Sequence, residues 1–97
     1  MAHIIVKLSF NAAGQIATDP NPVKVSRGDT VAWTSDEGDV SITLADAPLE
    51  GARKFSGRKG QHTDQAKIRS DARPGHFDCT ASIGGKEAPA YGIDIQP

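Results

Sequence analysis

The side chains able to act as nucleophile, base or soft metal ligand are few. They are one thiol, Cys79, and three imidazoles, His3, His62 and His76. A thiol beside an imidazole could form a nucleophile with its base. His76, however, stands three residues before Cys79, and on an extended strand an odd spacing places the two on opposite faces. His3 lies near the start of the chain and His62 in a long stretch without alternation. Were a metal held at all, the candidates would be Cys79, His62 and His76, but nothing in their spacing demands a site. The expectation is therefore no catalytic residue, no cofactor-binding residue and no metal ligand set, with Cys79 a small buried hydrophobe.

Other chemistries fail on pattern. Asp36-Glu37-Gly38-Asp39 lacks the alternating oxygen ligands and closing Glu of a helix–loop–helix calcium site, and fits an acidic hairpin turn. Gly57-Arg58-Lys59-Gly60 hints at phosphate binding, yet it lacks the Gly-Lys-Ser/Thr ending of a P-loop and a strand directly before it, and is expected to be an exposed loop. No serine, histidine and acid are spaced as a hydrolase triad, so the chain is not expected to be an enzyme.

These residues sit in 97 residues with 11 basic and 12 acidic side chains and a net charge of −1. Such a balance argues against nucleic-acid binding, which needs a strongly basic footprint. No apolar run reaches the ~20 residues that cross a bilayer. A single cysteine excludes an intrachain disulfide. The opening Met1-Ala2-His3-Ile4-Ile5-Val6-Lys7 has neither a basic leader nor a long apolar core. As written the chain reads as cytoplasmic; removal of an export leader would make it periplasmic or secreted. The charges are uneven along the chain, acidic from Asp36 to Glu50 and basic from Arg53 to Arg73. That asymmetry could favour a protein partner or self-association, unless the two segments neighbour one another in the fold.

The elements that must position these residues are strands. Period-two alternation marks seven segments, around Ile4–Phe10, Val23–Ser26, Val31–Thr34, Val40–Leu44, Ala66–Arg69, Phe77–Thr80 and Tyr91–Gln96. Breakers separate them at 11–14, 19–22, 27–29, 36–39, 73–75 and 84–85. The interval 46–63 shows no alternation, and a helical turn is expected near 49–55. Residues 1–97 thus read as a single all-β domain, a seven-stranded antiparallel Greek-key β-sandwich with Trp33, Phe77, Tyr91 and Phe10 in its core.

Two stretches carry a family resemblance. Asn21-Pro-Val-Lys-Val-Ser-Arg-Gly-Asp-Thr-Val-Ala-Trp-Thr34, a strand, a Gly-Asp turn and Val-x-Trp-Thr, resembles the cupredoxins of plastocyanin and azurin type. So does Pro74-Gly-His-Phe-Asp-Cys79, followed by a Gly-rich stretch and Tyr91-Gly-Ile-Asp-Ile95. The likeness spans about 21–46 and 74–96 and implies a cupredoxin-like sandwich. It also implies a type 1 copper site of two imidazoles, a thiolate and a weak axial thioether. Here the sequence departs from the family. The position of the first imidazole is Ser41, that of the second is Ser82, and the only Met is Met1. Of the ligands only Cys79 is present.

The resulting expectation is a non-enzymatic, copper-free cupredoxin-like module that binds a protein partner or self-associates, with no cofactor. Two alternatives stand beside it. One is an electron-transfer copper protein with displaced ligands. The other is an immunoglobulin-like recognition domain, because Pro74-Gly-His-Phe-Asp-Cys79-Thr-Ala-Ser82 also resembles the cysteine-bearing strand of that fold.

Overall fold

Alternating residues close into two five-stranded sheets that share one core. The computed structural model describes residues 2–19 and 22–97, with Tyr91 described by its backbone alone. Met1, Pro20 and Asn21, where the turn at 19–22 and the start of the family-like stretch fall, lie outside the described residues, as does the expected core role of the Tyr91 ring.

The strands are β1 (His3–Phe10), β2 (Ile16–Asp19), β3 (Lys24–Val25), β4 (Thr30–Thr34), β5 (Val40–Thr43), β6 (Leu49–Glu50), β7 (Lys54–Gly57), β8 (Ala66–Ile68), β9 (Gly75–Ile83) and β10 (Lys86–Ile95). The first sheet has the order β2-β1-β4-β8-β6 and the second β3-β10-β9-β5-β7. Among the described residues every regular element is a strand, and no helix is long and apolar enough to cross a membrane. The accessible surface is 5474 Å², close to the ~5,300 Å² that mass scaling gives for a chain of this size.

The all-β sandwich stands as expected, with ten strands among the described residues instead of seven and with two parallel pairs among them, β1 with β4 and β3 with β10. The remaining pairings are antiparallel. The helical turn expected near 49–55 is absent. Leu49–Glu50 instead pairs with β8 in one sheet, and Lys54–Gly57 pairs with β5 in the other. The chain changes sheets in between, and the Arg53 guanidinium fastens the crossing by donating to the carbonyls of Ala45 and Ala47.

Local chemistry explains the turns. Asn11 Oδ1 accepts from the amides of Ala13 and Gln15, which closes the β1–β2 hairpin. In the Gly-Asp turn, buried Asp29 accepts from Ala2 N–H through Oδ1 and from Ser26 N–H through Oδ2, both at 2.8 Å. One carboxylate thereby ties the start of β1 to the β3–β4 turn. Gly84 and Gly85 close the β9–β10 hairpin with φ of 59° and 87°. Two successive positive φ values belong to the tight two-residue hairpin that glycines favour.

The core gathers the inward residues of both sheets around Trp33, which is 1% exposed. Its ring packs on Phe55 with centroids 5.7 Å apart. Its backbone is held by Thr63, whose hydroxyl accepts from Trp33 N–H at 3.1 Å and whose N–H donates to Trp33 O at 2.9 Å. Phe10 and Phe77 are half-buried at the core margin. The acidic and basic segments neighbour one another. Lys67 pairs with Glu50 and Lys59 N–H donates to Asp39, while Asp36 pairs with Lys7 of β1 at 2.7 Å.

Candidate functional site

β9 is the strand on which the sequence concentrates chemistry, and its pleat sorts the residues. Cys79, Ala81 and Ile83 face the core, while His76, Asp78, Thr80 and Ser82 face outward. Cys79 is 6% exposed, and its thiol donates to Ala90 O at 3.7 Å. Burial, with a smaller contribution from the Asp78 charge, pushes this thiol up to about 11, so it stays protonated near neutral pH. A protonated, buried thiol is neither a good nucleophile nor a ready metal ligand.

Ser82 lies three residues on, hence on the other side of the sheet. Ser41 is its direct cross-strand neighbour, so it shares the outer face. β9 runs unbroken through Ser82 to Ile83 and turns at once through Gly84-Gly85 into β10. The two serines that stand where the resemblance expects imidazoles are therefore held in regular sheet, facing away from Cys79.

The histidines are dispersed. His3 Nδ1 bonds the Thr30 hydroxyl at 2.7 Å. His62 lies in the loop after β7. His76 is bracketed by two carboxylates, with Nδ1 2.6 Å from Asp94 Oδ1 and Nε2 2.6 Å from Asp78 Oδ1. Those bonds, Asp94 first and Asp78 second, raise its pKa above the ordinary 6.5 against a small opposing effect of burial. Cys79, His62 and His76 are thus not brought together. Among the described residues no three His, Cys, Asp or Glu side chains form a metal-holding group.

What the second sheet does present is a polar outer face. In register across β7, β5, β9 and β10 run Ser56, Ser41, Ser82 and Glu87, and beside them Lys54, Thr43, Thr80 and Pro89. At one end the Ser56–Ser41–Ser82 row opens into a depression of about 580 Å³, whose wall includes Arg58, Gln61, His62 and Asp39. The 58–63 loop behind it is pinned at several points. Lys59 N–H donates to Asp39 Oδ1, Gly60 N–H to Ser35 O, Gln61 N–H to Arg58 O, and Thr34 Oγ1 to Gln61 O. Sequence reasoning passed over Ser56 and Gln61, because a cross-strand row is invisible without register. Arg58 was visible within Gly57-Arg58-Lys59-Gly60, but as an exposed loop without a neighbour.

No protein-family model and no curated protein matches this chain. Solved structures do. A pseudoazurin from Sinorhizobium superposes with a TM-score of 0.57 at 21% sequence identity, covering 100% of this chain and 76% of that chain. The fold is that of the cupredoxins, a two-sheet Greek-key β-sandwich, as the Gly-Asp-x-Val-x-Trp and Cys79 stretches implied. Each sheet contains a parallel pair, unlike the antiparallel sheets of a constant-type immunoglobulin sandwich, and the superposition supports the cupredoxin fold.

Proposed function

We propose that this chain is a non-enzymatic, copper-free cupredoxin-like module that works by binding a partner or by assembling with itself. The observation that carries this reading is the pleat of β9, which turns Cys79 inward and Ser82, with its neighbour Ser41, outward. A type 1 ion needs a thiolate and two imidazoles converging on one point. Here the thiol is buried and held protonated, and the other two positions offer hydroxyls on the far side of the sheet. This donor set does not fit the ion. His76, already engaged by Asp94 and Asp78, faces outward and cannot supply the missing imidazole to Cys79.

The non-enzymatic part of the reading is supported by the same residues, because among the described residues no base stands beside the Cys79 thiol. Titration of the protein with copper(II), followed by visible absorption and thermal melting, tests the reading. The expected result is no intense thiolate-to-copper band and no copper-dependent rise in melting temperature. An intense visible band at one equivalent would overturn it in favour of electron transfer with displaced ligands. Sedimentation at low and high salt separates the two modes of action: a defined oligomer indicates assembly, and a monomer at both indicates a heterologous ligand.

A further inference from the structure

We infer that the depression at the Ser56–Ser41–Ser82 row is a binding site for a phosphorylated or sulfated sugar, with Arg58 gripping the ester oxyanion. This deepens the reading of the chain as a binding module and gives that module a ligand class. Four features carry it. First, the site is preformed, since the 58–63 loop is tied to Asp39, Ser35 and Thr34. Second, Arg58 enters no ion pair among the described residues, so its guanidinium can fork onto an oxyanion.

Third, the hydroxyls of Ser56, Ser41 and Ser82 come from three adjacent strands. Strand spacing makes that row about 10 Å long, the span of a sugar ring with its ester, whereas a bare anion would use one end only. Fourth, the rim carries a carboxylate. Asp39 uses Oδ1 for Lys59 N–H at 2.8 Å, and its remaining lone pairs suit donors such as sugar hydroxyls. Val40 is the one apolar side chain at the lining and it is buried, so no hydrophobic side chain is presented to a ligand. Phosphate and sulfate esters share this chemistry, and the test distinguishes them.

Isotope-labelled protein is titrated with glucose 6-phosphate, glucose 6-sulfate, glucose and inorganic phosphate, and amide shifts are followed. At least one ester should move amides in 56–62 and 82–85 and bind at least about tenfold tighter than glucose or inorganic phosphate, the weight of one charge-assisted contact. The tighter ester names the natural class. Arg58→Gln should weaken ester binding by about tenfold or more, and Ser82→Ala by less. Both side chains face outward, so both variants should keep the wild-type spectrum elsewhere. Arg73→Gln, remote from the row, should bind as wild type. Absent or scattered shifts, inorganic phosphate binding as tightly as the esters, or equal loss in Arg73→Gln would overturn the site. The copper titration is independent, so failure here leaves the copper-free reading standing.

Discussion

At the scale of single residues, two buried polar atoms meet opposite fates. The Cys79 thiol is drawn into the core, where burial lifts it to about 11. Its reaction with a disulfide reagent near pH 8 should be slow in the native protein and accelerate many-fold in denaturant, because thiolate is the reactive species. Equal rates in both states would show the thiol to be accessible. The Thr18 hydroxyl is buried on β2 and lacks a hydrogen-bond partner among the described residues. Replacing an unsatisfied hydroxyl with a methyl removes a desolvation cost. Thr18→Val should therefore raise unfolding stability by about 1 kcal/mol, measured by urea denaturation; a loss would mean the hydroxyl is engaged in solution.

At the scale of elements, the β9–β10 pair is where sequence patterning and structure part company. Simple alternation puts Tyr91, Ile93 and Ile95 on one face and leaves Gly92 as an outward position. The ladder instead pairs Ala90 with Cys79 and Ile93 with Phe77, so Tyr91 and Gly92 together oppose Asp78. This bulge resets the phase, which is why Ala90 and Ile93 are both buried. Gly92 is the residue that permits it, since a Cβ there would lie 1.6 Å from the Phe77 carbonyl oxygen. Gly92→Ala should cost about 3 kcal/mol or more, in the range of strained-backbone and overpacked sites, or prevent folding. A change under 1 kcal/mol in denaturation would mean that the bulge relaxes. The other strands the pattern missed share a cause. β6 is only two residues long, β7 follows a change of sheet, and Thr18 breaks the apolar signature of β2, so none of the three shows a clear alternation. The β3–β4 turn and Trp33 were legible because Gly-Asp and a lone tryptophan are local signals. The serine row was not, because cross-strand neighbours are set by register.

The same strand pair holds a pH-dependent contact. His76 faces Asp78 on its own strand and Asp94 on β10, with Lys24 on β3 opposite Asp94. Its pKa is raised above the ordinary 6.5, so its stabilising effect is fully present below that value. It fades as pH rises through the higher native-state value. Partial exposure keeps the effect small. The urea midpoint of His76→Gln should fall below wild type at about pH 5.5 and approach it by about pH 9. A gap independent of pH would show that the ring acts by packing alone.

For the whole molecule, Trp33 is the largest of the fully buried side chains in the core that the two sheets share. Trp33 stacks on Phe55 and exchanges backbone and hydroxyl bonds with Thr63, so β4 is bound at once to the second sheet and to the loop behind the serine row. Trp33→Ala should lower unfolding stability by about 3–5 kcal/mol, seen as a lower midpoint in chemical denaturation. A loss under 1 kcal/mol would place the centre of the core elsewhere.

The uninterrupted run of β9 into a two-glycine turn limits how this scaffold could be converted. Installing imidazoles at Ser41 and Ser82 would not build a type 1 ligand set around Cys79. As directly opposed neighbours on adjacent strands, they would clamp a divalent ion between two rings on the exterior, forming a chelate with the sheet's thickness separating it from sulfur. Converging such ligands on the sulfur would take a lengthened, irregular connection before β10, a change of backbone and not of side chains.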